Sequence, residues 1–327
     1  MAGPTPISAK WPRASPPPAQ KPVLPDALPS FYAYGGFGGA PPAAGQRRFL
    51  NDPDRFGKLV ERTRAIAAGL PKAQVGIAPH SLRAVAADTL RIICQAMPEG
   101  PIHIHAAEQA KEVEESLTVL GRRPVEWLLD NAGIDSRWCV IHATHTTEAE
   151  IRALAASGAV VGLCPITEAS LGDGVFDGAD YLGAGGRFGV GTDSNIQIDA
   201  AAELRQLEYS QRLARRARNV MTLQEAESTG RRLFASALAG GARALQRPIG
   251  ALAVGLRADI VLLDENHPDL ASRHGDEWLD AWTFVVGRTT VKTVLVGGEI
   301  VVEAGRHRMR PAIEARYKTV IANLSGA

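Results

Sequence analysis

Residues 101–164 read PIHIHAAEQAKEVEESLTVLGRRPVEWLLDNAGIDSRWCVIHATHTTEAEIRALAASGAVVGLC. Three short apolar runs stand out: Ile102 to His105, Cys139 to His142 and Val160 to Cys164. Each ends in a histidine or a cysteine. Helical stretches separate them, and the one from Thr147 to Ala156 opens with Thr147 and Glu150 at capping-box spacing. The same grammar extends outward, to Val75 through His80 on one side and Phe188 through Asp193 on the other. Strand alternating with helix predicts parallel βαβ units, and continuously apolar strands predict burial on both faces.

Five strands that each end in His, Cys or Asp predict a (βα)8 barrel, because that fold gathers its functional residues on one rim at the C-terminal strand ends. A doubly wound sheet would instead collect them at its switch point. The glycine-rich stretch 183–191 also lacks the strand-then-helix context of a dinucleotide fingerprint. A barrel is therefore the expected fold.

Around this centre the chain divides into four parts. Residues 1–29 are crowded with proline, and the expectation is a disordered segment outside the fold. Residues 30–246 carry the barrel pattern. They include a glycine-rich loop at 32–39 and a helical pattern from Asp54 to about Leu70 that places Phe56, Leu59, Val60 and Ile66 on one side. Residues 247–310 turn to β grammar, with Gly297-Gly298 as a hairpin signal, and are read as a small β-sandwich. Residues 311–327 are read as a C-terminal helix.

The chain has 327 residues, 45% hydrophobic, with a net charge of +1. Such a balance gives no reason to expect nucleic acid or an anionic membrane as partner, and the basic run Arg212 to Arg218 reads as a solvated helix face. No apolar stretch approaches the roughly 18 residues that would span a bilayer, and the N-terminus lacks a signal-peptide core. Cys94, Cys139 and Cys164 are an odd number without ligand spacing, each inside an apolar run. Buried free thiols in a reducing cytoplasm are expected.

The chemistry lies in the strand ends. A neutral imidazole at His105 suits a divalent ion, while Glu108, three residues on, suits a general acid/base that does not itself bind metal. Asp193 supplies a carboxylate ligand from a later strand, and His142 is placed to act on water. One strand-end histidine is as a rule a structural residue; four such groups at successive strand ends are hard to assign to packing. His103 shares a strand face with His105 and is expected at the rim or behind the ligands. His80 with Arg83 suits an anionic substrate, since a guanidinium forks onto a carboxylate.

The segments GIAPHSLRAV (76–85), HIHAAEQ (103–109), VIHATHTTEAEI (140–151), GLCPITEASLGDG (162–174), GVGTDSN (189–195) and LEYSQRL (207–213) resemble the amidohydrolase superfamily, and within it the formimidoylglutamate deiminases. The resemblance implies a (βα)8 metal-dependent hydrolase barrel with a β-sandwich companion. It also implies hydrolysis of N-formimino-L-glutamate to N-formyl-L-glutamate and ammonia, in histidine degradation.

On that pattern His105 and Asp193 are zinc ligands, Glu108 carries a proton to the departing nitrogen, His142 assists the attacking water, and His80 and Arg83 hold the glutamate portion. Iron or another divalent ion suits the same donors. A homodimer is compatible with the resemblance. One departure stands out: no histidine precedes His80, so the superfamily's first-strand His-x-His is absent. The first two strands are expected to be missing, and two ligands alone hold an ion poorly. An aminopurine or chlorinated-ring substrate, or an inactive truncated remnant, are the competing readings.

Overall fold

The computed structural model describes residues 26–70, 73–224 and 227–325. The expectation for residues 1–25 therefore lies outside the described residues. The first part runs β1 (Ser30–Phe31), α1 (Pro53–Ala67), β2 (Ala78–Pro79), α2 (Ala87–Gln95), β3 (Ile102–Ala106), α3 (Ala110–Leu120), α4 (Pro124–Asn131) and β4 (Trp138–His142). It continues through α5 (Glu148–Ser157), β5 (Val160–Leu163), α6 (Pro165–Leu171), α7 (Gly178–Gly183), β6 (Arg187–Val190), α8 (Ala200–Arg215) and α9 (Thr229–Ala244).

Every strand pairing here is parallel and in chain order. β1 pairs with β2, bridges Ile77–Ile102 and Ser81–His105 join β2 to β3, and β3, β4, β5 and β6 follow side by side. This is, among the described residues, a partial (βα)8 barrel of six strands. Among the described residues β1 and β6 form its open edges.

Local chemistry accounts for the elements. Asp52 caps α1 by accepting from Arg55 N–H, with Pro53 next in the first turn. Thr147 and Glu150 form the expected capping box of α5. Phe56 and Val60 of α1 are buried, but Leu59 and Ile66 are exposed, so that helix packs along a narrower stripe than its pattern predicts. The fold also starts earlier than the proline-rich reading implies: Ala27 bridges Val75, and Pro29 accepts from Ala78 N–H. Proline costs nothing there because only its carbonyl is used.

The register places His103, Cys139 and Val160 side by side on one face of the sheet, and α9 lies across it. Ala244 packs with Cys139 and Val160, and the Ala244 carbonyl lies 2.9 Å from His103 Nε2. His103 thus anchors a helix below the rim, and is not a rim residue. Close approach of α9 to β6 requires glycine, since a β-carbon at Gly240 would stand 1.8 Å from the Phe188 carbonyl oxygen.

The remaining residues form β7 (Ile260–Leu263), α10 (Glu277–Ala281), β8 (Val291–Val296), β9 (Glu299–Glu303), β10 (Arg306–His307) and α11 (Arg310–Ser325). The strands make one antiparallel sheet in the order β10-β9-β8-β7. Gly297 and Gly298, both at positive φ, turn the β8–β9 hairpin as expected. The expected sandwich is here a single layer. Val261, Leu262 and Ile300 are about half exposed, and among the described residues no second sheet covers them.

Candidate active site

The parallel order of the strands brings their C-terminal ends to one rim. His80 follows β2, His105 is the fourth residue of β3, His142 closes β4, and Asp193 follows β6. Backbone strain concentrates there: Ala107, His142, Ala143, Asp193 and Asn195 are non-glycine residues at positive φ, between 39° and 67°. Such conformations cost about 1–3 kcal/mol each and persist where surrounding contacts over-determine them. Those contacts are visible. Thr192 Oγ1 donates to Asn195 Oδ1 at 2.8 Å, and Ser194 N–H donates to Thr167 Oγ1 at 3.2 Å, which pins the Asp193 loop to α6.

Three imidazoles form a row. The His80 and His105 ring centroids are 4.8 Å apart, and His105 and His142 stack at 5.6 Å. The His80 carbonyl accepts from both the backbone N–H of His105 and its Nδ1–H, the latter at 2.7 Å. That bond fixes the tautomer of His105 and leaves Nε2 with a free lone pair. Burial, the largest influence, lowers the His105 pKa despite that bond and the charges of Glu108 and Asp193. His105 is therefore held as the neutral ring a metal requires.

Glu108 lies between two partners, with Oε2 3.3 Å from an Arg83 nitrogen and Oε1 3.6 Å from His142 Nε2. Its backbone N–H donates to Glu112 Oε2 at 3.0 Å, which fixes the turn at the start of α3. His142 is fully buried, and its Nδ1 faces Glu168 Oε1 at 3.3 Å. Burial would lower the pKa of His142, but the Glu168 hydrogen bond and the charges of Glu108, Glu168 and Asp193 outweigh it, and the net shift is upward. A cleft of about 720 Å³ opens beside Arg83, walled by the glycine-rich loop at Gly35, Gly36 and Phe37 and by Gln109 and Glu112 of α3 and its cap.

Ligand atoms of Glu108, His142 and Asp193 lie within 4.8 Å of one another. Donors around a tetrahedral zinc ion stand roughly 3.4 Å apart, so small side-chain adjustments suffice. His142 Nε2 is buried without a hydrogen-bond partner among the described residues, which is the condition of a nitrogen whose partner is an ion or a solvent molecule. Imidazole with carboxylates fits a divalent metal. The geometry thus groups Asp193 most closely with His142 and Glu108, while His105, expected to pair with Asp193 as a ligand, flanks that group. His80 and Arg83 stand beside it as expected.

Sequence reasoning missed Glu168, Glu112 and Glu203. Each is a buried acid in the first turn or two of a helix, the commonest solvent-facing place for glutamate, so nothing in the pattern marks it. Glu203 is pushed up to about 7, by burial first and then by Glu168, Asp199 and Asp193, against a hydrogen bond from Ile166 N–H.

His80 has a consequence for stability. Burial, then the charges of His105 and Arg83, lowers its pKa to about 4 from 6.5. Between those values the unfolded chain binds more protons than the native one, so the stabilisation held above pH 6.5 is lost as pH falls toward 4. The urea midpoint of a His80→Gln chain should fall less over that window than that of the parent. Equal slopes would show that His80 does not titrate as described.

A barrel rim carrying carboxylates and imidazoles around one prospective ion is the arrangement of a metal-dependent hydrolase, and the chain belongs to the amidohydrolase family, whose model matches residues 38–301. It is 48% identical over 283 residues to formimidoylglutamate deiminase of Pseudomonas aeruginosa, which covers 86% of this chain and 62% of that protein. An amidohydrolase crystal structure from Brucella melitensis superposes with a TM-score of 0.88 at 49% identity, over 91% of this chain and 66% of the other. An adenosine deaminase from Xanthomonas campestris with bound zinc shares the fold, with a TM-score of 0.77 at 22% identity, over 92% of this chain and 67% of the other. The chain thus spans somewhat under two thirds of the length of the curated deiminase. No helix among the described residues is long and apolar enough to cross a membrane.

Proposed function

We propose that this chain carries the site of a zinc-dependent deiminase that hydrolyses N-formimino-L-glutamate to N-formyl-L-glutamate and ammonia. The observation that carries the proposal is the convergence of Glu108, His142 and Asp193 within 4.8 Å, directly beside Arg83. Asp193 and His105 are the ion's donors read from the sequence, and His142 and Glu108 stand beside them as the proton-carrying groups. Lewis acidity is what a divalent ion supplies in such a site, polarising substrate and making water acidic enough to attack near neutral pH.

The protein's own groups do the rest. Arg83 exchanges Glu108 for a substrate carboxylate, to which its fork is matched, and His80 supports that end. His142 Nε2 takes a proton from the attacking water, and Glu108 delivers one to the departing nitrogen, so that the C–N bond breaks with release of ammonia. A carboxylate-bearing substrate is favoured over an aminopurine or a chlorinated ring, because those rings offer Arg83 no carboxylate to fork onto. The same reading places the reaction in histidine degradation. The free cysteines fit a reducing, cytoplasmic setting, and assembly as a homodimer belongs to the proposal.

The test is ammonia release from N-formimino-L-glutamate by the zinc-loaded chain, compared with Arg83→Met. Release by the parent, with a KM raised at least tenfold in the variant, is expected. No release from a chain that holds zinc would leave only a metal-binding remnant of a longer enzyme.

A further inference from the structure

We propose that Glu168 is a positioning residue, which holds the His142 ring in its Nδ1–H tautomer so that Nε2 presents a lone pair toward Glu108 and Asp193. The inference deepens the proposed function by naming what aims one of its working groups.

One oxygen of Glu168 serves two partners. Glu168 Oε1 accepts the backbone N–H of Cys164 at 3.0 Å and also lies 3.3 Å from His142 Nδ1. A backbone amide only donates, so this oxygen acts as an acceptor. An ionised carboxylate has no proton to give, so the ring nitrogen facing the same oxygen brings it. With Nδ1 protonated, the neutral ring keeps its lone pair on Nε2. That atom is buried, has no hydrogen-bond partner among the described residues, and stands 3.6 Å from Glu108 Oε1.

The placement follows from the fold. His142 closes β4, and Glu168 sits in the first turn of α6, just after the neighbouring strand β5. Closing the N-terminus of α6 would by itself explain the bond to Cys164, but not the second contact with a ring on another strand. His105 shows the same outcome reached differently: its Nδ1 is tied to the His80 carbonyl at 2.7 Å, and its ring stacks on that of His142. Both rings thereby offer Nε2. One is aimed by a backbone group that no substitution can remove, and the other by a side chain that can be changed.

The measurement is long-range proton–nitrogen correlation on the full chain labelled with ¹⁵N-histidine, without metal or substrate, at a pH where the ring is neutral. His142→Asn identifies the His142 signals by their loss. The parent should show Nδ1 protonated and Nε2 bare. In Glu168→Met the proton should move to Nε2. In Glu168→Gln, whose carbonyl oxygen takes the same place, it should stay on Nδ1. A parent ring with the proton on Nε2 overturns the proposal, and so does a folded Glu168→Met chain that keeps the proton on Nδ1. The parent spectrum decides alone if Glu168→Met does not fold. Because no substrate enters, the outcome is separable from the proposed function: the expected tautomer with no ammonia release would refute only the latter.

Discussion

Replacing Glu108 by glutamine should lower the rate of ammonia release from N-formimino-L-glutamate by about 10²–10⁴-fold, the range that a positioned proton carrier contributes. The substitution changes little else. Glutamine has the same shape, and its carbonyl oxygen still faces Arg83, whose nitrogen stands 3.3 Å from Glu108 Oε2. The backbone N–H of residue 108 keeps its bond to Glu112, so the turn that carries the side chain is preserved. What is lost is a carboxyl group able to take up and release a proton, with its Oε1 3.6 Å from His142 Nε2. The drop should therefore fall on kcat, with KM close to the parent's. A variant that releases ammonia at the parent rate would remove Glu108 from the chemistry and leave it as a partner of Arg83.

Asp193→Ala should leave the purified chain without zinc. Asp193 comes from β6, two strands beyond His142 in the sheet, and is the donor that closes the group from that side. Without it His105 is the one donor left of the two read from the sequence, fewer than the three protein ligands that hold a catalytic ion. The side chain is exposed, and the loop is held by Thr192, Ser194 and Asn195 rather than by the carboxylate, so folding should survive. Alanine at φ 39° is no better suited than aspartate, and a small loss of thermal stability is expected. Zinc content is read by elemental analysis after dialysis, with circular dichroism as the control. Unchanged stoichiometry would place the metal elsewhere.

The barrel was legible because its signal is periodic and repeated. Ile102, Ile104, Val140, Val161 and Leu163 are all buried within 2% exposure, and each run stops at a polar residue that the fold delivers to one rim. His80, Arg83, His105, Glu108, His142 and Asp193 could be singled out because polar groups at strand ends are visible as breaks in an apolar pattern.

What depends on contacts between distant segments was not legible. Nothing in the alternation of 249–264 shows that only Ile260–Leu263 becomes a strand, or that the module is one layer. His103 and His105 look equivalent by spacing. Yet one ring anchors α9 through the Ala244 carbonyl and the other joins the site, because a helix 141 residues away crosses beneath them. Glu168 escaped for the opposite reason: a glutamate in the first turn of a helix is ordinary, and its meaning lies in a ring on the next strand.

The most direct test of the account is anomalous diffraction at the zinc edge from crystals of the full chain grown with zinc. One strong peak is expected at the rim, about 2.0–2.2 Å from Asp193 and from the His105 imidazole. Absence of a peak there, in crystals that hold zinc elsewhere or not at all, would contradict the claim that the ends of β3, β4 and β6 build one metal site.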